Sequence, residues 1–280
     1  MEIEDIILAN DRRGISALRP HLPPRFCQEA AQFILDRPGP AFIITGFYIL
    51  AAGKPETDGP PGAVAIGQAL QALRRPVWYI TDRYAVSLLK PQEKRGARVV
   101  EFPIAGVEES RQEATRLLQW GNPSVLIAIE RPGLTKAGQY KNMRGLDITQ
   151  YTARVDHLFL AHNATVGIGD GGNEVGMGVL YNEVLKVPSL VKDPTATRVS
   201  RLVIASVSNW GGYGLVAALS RLVKRDLLPQ EKEHGDLIRW MVDQGAVDGI
   251  SARQEPAVDG FPLEEELAVI RRLRQGLREK

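Results

Sequence analysis

Short runs of Val, Ile and Leu punctuate this chain at regular intervals: AFIIT (41–45), VWYI (77–80), RVVEF (98–102), SVLIAI (124–129), TVGIG (165–169) and RLVIAS (201–206). Each is a continuous apolar run, not an alternating one, which predicts a parallel strand covered on both faces. Between them lie amphipathic stretches with apolar residues at helical spacing: 23–37, 62–75, 108–120, 149–162 and 210–225. Strands alternating with helices predict βαβ units, hence an α/β, Rossmann-like, doubly wound, mostly parallel sheet of about six strands with helices on both faces. Beyond residue 226 the pattern turns helical (231–244 and 262–280), which predicts a C-terminal helical cap on the sheet edge. The expected organisation is a single α/β domain over 1–280, with 226–280 as a helical extension.

Composition narrows the class. A formal charge of +2 is too balanced for a sequence-blind nucleic-acid binder. The longest apolar runs fall far short of the ~20 residues that cross a bilayer, and the acidic N-terminal segment resembles no signal or transit peptide. The single cysteine, Cys27, allows no intrachain disulfide. A cytoplasmic protein with no nucleic-acid or membrane partner is expected. Glycine is the one excess, 27 of 280 residues against a usual ~7%.

Those glycines gather where the strands end. Open α/β sheets bind ligands beyond the carboxyl ends of their strands. TDGPPGA (57–63), Thr81-Asp82, ERPG (130–133), GDGGNEVGMG (169–178) and SVSNWGGYG (206–214) all fall there, whereas the opposite turns (RPG, RRP, RGAR) are plain. Gly167, Gly169 and Gly172 match the dinucleotide spacing G-x-G-x-x-G, but Asp170 and Glu174 would repel a pyrophosphate, so NAD is not expected. The same rim carries Arg131 and Arg144, the carboxylates Asp58, Asp82, Glu130, Asp170 and Glu174, and the neutral groups Asn173, Ser208 and Asn209. Such a mixture suits a small zwitterion better than a polyphosphate. No Walker, nucleophile-elbow or zincin motif is present.

ETDGPPGA (56–63), ERPG (130–133), YKNMRGLDI (140–148), GIGDGGNEVGMG (167–178) and VSNWGGYG (207–214), in that order, resemble the D-glutamate cyclase-like C-terminal domain family over roughly residues 3–225. The resemblance implies a carbon–oxygen hydro-lyase that dehydrates D-glutamate, or a related small acidic amino acid, to 5-oxo-D-proline. Animal members of that kind carry an extra N-terminal domain resembling hydro-lyases, and this chain is expected to be the free-standing version. The expected macromolecular partner is a second copy of the chain or a separate hydro-lyase-like protein. The alternative is a non-catalytic Rossmann-like module that binds an amino acid, nucleotide or anion.

Cyclising glutamate needs a base for the ammonium proton and an acid for the departing oxygen, with the carboxylate charge suppressed. The candidate catalytic residues are therefore Asp170 and Glu174, binding the amine and moving protons, and Asn209, stabilising the oxyanion. The candidate substrate-binding residues are Arg131, Arg144, Asp58, Glu130, Asn173, Ser208, Gly171 and Gly172. The cofactor is open; a divalent cation such as Mg²⁺ or Mn²⁺ would take Asp58, Asp170 and Glu174.

Overall fold

A computed structural model of the protein describes residues 2–278. Six strands form one all-parallel sheet: β1 (Ala41–Thr45), β2 (Val77–Thr81), β3 (Arg98–Glu101), β4 (Val125–Ile129), β5 (Thr165–Gly169) and β6 (Arg201–Ile204). These are the six runs expected from the sequence, with ends shifted by no more than two residues. Their order across the sheet is β3-β2-β1-β4-β5-β6. That order reverses direction between β1 and β4, and a crevice opens at their carboxyl ends, at the topological switch point. Every residue of β1, β2, β4 and β5 is buried.

The helices that cover the sheet and shape the crevice are α1 (Ile3–Ile7), α2 (Phe26–Leu35), α3 (Pro60–Ala72), α4 (Val107–Gly121), α5 (Asp156–Leu160), α6 (Ser208–Val223), α7 (Glu231–Asp243) and α8 (Leu263–Arg278). Successive strand residues point to opposite faces. Ile43, Tyr79, Ile127 and Ile168 pack with α2, α3 and α6 on one face. Phe42, Ile44, Trp78 and Leu126 pack with α4 and α5 on the other. Among the described residues, no helix is long and apolar enough to cross a membrane.

Two expectations change. The 149–162 stretch is not one helix: a 3₁₀ turn (Thr149–Tyr151), an extended link and the short α5 replace it. The break follows from Asp156, which is buried and accepts bonds from Leu134 N at 2.9 Å, Tyr140 Oη at 2.5 Å and Thr197 Oγ1. The C-terminal helical cap is present, but it covers helices and not the sheet edge. α8 lies against α1 and α6, making a third layer on the larger core face. Helix α6 is buried from Ser208 to Ser220, covered by the sheet on one side and by α8 on the other.

A polar lock ties that third layer down. His234 of α7 bonds Tyr213 Oη through Nε2 at 2.6 Å, and Tyr213 donates to Glu266 Oε2 of α8 at 3.0 Å. Trp210 Nε1 donates to Glu266 Oε1 at 2.5 Å. Burial pushes His234 down to about 4 and Glu266 up to about 7.

The helices flanking the switch point exchange caps. Helix α3 opens with Pro60 and Pro61, which have no N–H, so the chain's free donors there are Gly59 N and Gly62 N. Both bond Asn209 Oδ1 of α6 at 2.9 Å. In return Asp58, just before α3, accepts from Asn209 N at 2.7 Å and Ser208 N at 2.9 Å at the start of α6. The two helix starts touch through glycine. A Cβ on Gly62 would stand 3.1 Å from Asn209 Cα, and one on Gly212 would stand 3.2 Å from Gly62 Cα. Those neighbours are backbone and cannot swing aside.

Gly62→Ala and Gly212→Ala are each expected to lower unfolding free energy by about 1–3 kcal/mol through overpacking, read by urea denaturation. Unchanged midpoints would refute the close approach. His234 supplies a second expectation. Its folded pKa lies below its unfolded one of about 6.5, so the unfolded chain alone takes up a proton as pH falls from 6.5 towards 4. Stability from the neutral ring is therefore full above pH ~6.5 and lost by about 3 kcal/mol at pH ~4. The His234→Gln variant should lack that extra loss. Parallel stability–pH curves for the two chains would refute it.

Candidate functional site

Glu130 and Arg131 leave β4 in opposite directions. Glu130 takes a left-handed backbone, φ +40°, which a residue with a Cβ adopts only under constraint and at a cost of order 1–3 kcal/mol. The twist delivers its carboxyl into the crevice, where Oε2 accepts from Ser208 Oγ at 2.6 Å. Burial, then the neighbouring carboxylates Glu174, Glu56 and Asp58, hold its pKa well above the usual range. Arg131 is fully buried on the other side. It pairs with Asp82 at 2.6 Å and donates to Gly46 O and Ala153 O, both at 2.9 Å. The two sequence candidates Arg131 and Asp82 thus neutralise each other and tie β1, β2 and the link before α5 together. Arg131 is not free to grip a substrate carboxylate.

The GDGGNEVGMG segment folds as a turn around its own carboxylate. Glu174 Oε1 accepts from Gly171 N at 2.8 Å and Asp170 N at 3.4 Å, and Oε2 accepts from Gly172 N at 2.8 Å. Gly172 sits at φ +104°, a conformation that favours glycine. The backbone nest that would cradle a phosphate is already filled. No long helix follows β5 either, only a 3₁₀ turn (Gly178–Leu180) and one helical turn (Tyr181–Val184). Asn173 Nδ2 donates to Lys141 O at 3.1 Å, which pins the turn to the 141–148 loop.

Three site residues were not read from the sequence. Arg13 arrives from the N-terminal loop, which Asp11 shapes by accepting from Arg13 N, Gly14 N and Ser16 N. Its guanidinium bridges Asp170 Oδ1 at 2.5 Å and Asp259 Oδ1 at 2.7 Å. Asp259 lies in the turn between two-residue strands Ala257–Val258 and Phe261–Pro262, at φ +51°. Glu56 follows a small hairpin, Tyr48–Ile49 against Lys54–Pro55. Its carboxyl is buried, and burial with Asp259 and Asp58 nearby pushes its pKa well up. The only sequence signals were a DG pair at 259–260 and charged residues beside turns, which are common on any surface.

Six buried carboxylates, Glu56, Asp58, Glu130, Asp170, Glu174 and Asp259, therefore crowd round one guanidinium. Three of their oxygens, Asp170 Oδ2, Asp259 Oδ2 and Glu56 Oε1, are buried without a hydrogen-bond partner. Leaving such atoms unmet costs about 1–3 kcal/mol each or more for charged groups, so this is a site built to receive a positive centre or protons.

A cavity of about 220 Å³ opens onto this cluster. Arg13, Glu56, Glu130 and Asp259 line its polar part, while Phe47 and Leu50 contribute apolar wall. Its volume is below the roughly 300–1,000 Å³ typical of drug-sized ligands and suits a metabolite of a few heavy atoms. Arg144 lies exposed at its mouth, and its guanidinium makes no ion pair among the described residues. Of the expected site residues, Asp58, Glu130, Asp170, Glu174 and Ser208 do converge. Asn209 is beside them but spends its amide on the caps of α3, on Thr57 O at 3.1 Å and on Glu266. Trp210 is fully buried behind the site and does not line the cavity.

The family described as D-glutamate cyclase-like, C-terminal, matches residues 3–274. The match runs on past residue 225 to include Asp259 and Glu266. The human protein named "D-glutamate cyclase, mitochondrial" is 37% identical over 209 residues, covering 68% of this chain and 34% of that relative. The chain thus spans about a third of that relative's length. On this match, and with the polar cavity at the switch point of its parallel sheet, the chain belongs to the D-glutamate cyclase-like C-terminal family.

Proposed function

We propose that this chain is an enzyme that cyclises D-glutamate, or a closely related acidic amino acid, to 5-oxo-D-proline with loss of water. One observation carries the reading: Arg13, the strained Glu130 and the open oxygen of Glu56 all face the same small cavity. The reaction needs a cation for a carboxylate, an acid for its departing oxygen and a base for an ammonium.

The substrate ammonium sits against Glu56 Oε1, the buried acceptor that lacks a partner. Burial and mutual repulsion raise both Glu56 and Glu130, so the pair shares a proton: it rests on Glu130 and leaves Glu56 ionised as the base. The γ-carboxylate meets Arg13 and the protonated Glu130. A carboxylate approaching a floor of carboxylates requires both the guanidinium and that proton. Asp170 and Asp259 hold Arg13 in place by its two outer nitrogens. Glu130 gives its proton to the γ-carboxylate. Glu56 takes one proton from the ammonium, and the freed amine attacks the γ-carbon. A second N–H proton returns to Glu130 as the C–N bond forms. The proton on Glu56 then passes to the leaving hydroxyl, which departs as water. Nitrogen loses two protons and the departing oxygen gains two, one of them from Glu130, which the second N–H proton restores, so the cycle closes with no net proton uptake. The apolar wall, with Phe47 and Leu50, keeps bulk water from the product amide. Arg144 at the mouth takes the α-carboxylate.

Ring size selects the substrate class. Attack on a γ-carboxyl closes a five-membered ring, whereas aspartate would close a strained four-membered one.

The purified chain is expected to form 5-oxo-D-proline from D-glutamate and nothing from aspartate, read by chiral chromatography. No 5-oxoproline from either glutamate enantiomer would remove the cyclase reading. Thermal stabilisation by glutamate without turnover would put a binding module in its place. Given activity, Glu130→Gln should lower kcat by roughly 10²–10⁴ with a smaller effect on KM. Arg144→Met should raise KM about tenfold or more and spare kcat, because its contact is the same in ground and transition states. An unchanged KM would exclude Arg144 from the substrate's path.

A further inference from the structure

We propose that Asp58, Asp170 and Asp259 together bind one divalent cation of the Mg²⁺/Mn²⁺ class. This site stands on geometry alone, whatever reaction the cavity runs. One oxygen from each of the three lies within 4.8 Å of the others. Ligand oxygens about 2.0–2.6 Å from a common hard cation stand no more than about 4–5 Å apart, so the triad has the right span.

A second observation points independently to a cation. Asp170 and Asp259 are buried, 0% and 6% exposed, and each leaves Oδ2 with no hydrogen-bond partner. Arg13 does not meet this need, because it bonds only the Oδ1 atoms of the pair. Asp58 Oδ2 accepts a single backbone N–H, from Ser208, and keeps a lone pair. One guanidinium cannot balance the carboxylates gathered here, and a divalent ion supplies further positive charge. All three are hard oxygen donors, which favours Mg²⁺ or Mn²⁺ over a softer zinc-type ion.

A second acidic triad, Glu130, Asp170 and Glu174, has the same span. It is the poorer cage, because Asp170 alone among its members leaves a buried oxygen without a partner, against two such oxygens in the first triad. Both triads would draw on Asp170, whose Oδ1 is taken by Arg13. The structure therefore favours one cation, with Asp259 in the place expected for Glu174. The ion would lie beside Arg13 at the cavity floor, where a Lewis acid polarises a carboxyl oxygen.

The test uses the full chain stripped with EDTA and titrated with MnCl₂, reading the free-Mn²⁺ electron paramagnetic resonance signal. One Mn²⁺ bound per chain, displaced by MgCl₂ and accompanied by a rise in Tm, is expected. Asp259→Asn should weaken binding roughly tenfold or more. The surface variant Glu113→Gln should leave binding unchanged. No Mn²⁺ bound by the wild-type chain, or equal binding by Asp259→Asn, overturns the site. If Asp259→Asn does not fold, Asp259→Glu shifts the carboxylate by one methylene, and undiminished binding there overturns it equally. The cyclase reading fails separately. Mn²⁺ binding without 5-oxoproline from either glutamate enantiomer upholds the cation site and removes the cyclase. Turnover by the stripped chain, together with no Mn²⁺ bound in the titration after EDTA is removed, upholds the cyclase and removes the cation site.

Discussion

The exchange of caps between Asp58 and Asn209 is the constraint on which the rest of the site hangs. Two helices that start side by side would each leave buried N–H groups unmet. Here each supplies the other's acceptor, and the glycines at 62 and 212 let the starts come close enough for the trade. Ser208, the first residue of α6, is thereby fixed, and its hydroxyl fixes Glu130. Asp58 is fixed by the same bonds. A carboxylate held at helix starts in this way is favoured as an anion, whereas its burial among other acids favours the proton. For Asp58 burial wins and its pKa is raised.

That contest explains why the floor can hold so many acids. A fully ionised cluster would repel itself, so the fold must supply protons, Arg13 or another cation. Arg13 is the one counter-charge from the described residues that bridges two of these carboxylates, and it is itself gripped on both sides. Beneath, Arg131 neutralises Asp82 in a separate buried pair. The two arginines serve different ends: one faces the cavity, the other holds the strand ends that shape it.

The sheet was legible because its signal is local. Buried parallel strands read as unbroken apolar runs, and all six were found at their positions. The gathering of Asp58, Glu130, Asp170, Glu174 and Ser208 was legible for a similar reason: a parallel sheet puts all its strand ends on one rim. The roles within that rim were not. Whether Glu130 or Arg131 faces the cavity depends on which way one residue turns after β4, and Glu130's left-handed backbone decides that. Glu174 looked free because sequence does not show that a carboxylate will fold back onto its own turn. Arg13 and Asp259 were missed because neither follows a strand of the sheet; long-range packing alone brings them in. The third layer was not legible, because the helical spacing of apolar residues over 210–225 reads as a helix with one covered face, whereas α6 is buried on all sides from Ser208 to Ser220.

Arg13 and Asp259 also join a loop before the first strand of the sheet to a turn far beyond the last one. Arg12, next along, stacks on Phe261 at 3.6 Å from the ring centroid and donates to Gly260 O at 3.1 Å. The contact that closes the acidic floor therefore joins residues separated by nearly the whole chain, and long loops of this kind close late. During synthesis the central strands can pair while Arg13 still lacks one of its two carboxylates. The floor becomes complete only once Asp259 has emerged and docked, so a nascent chain that stops before it builds the sheet without the finished pocket.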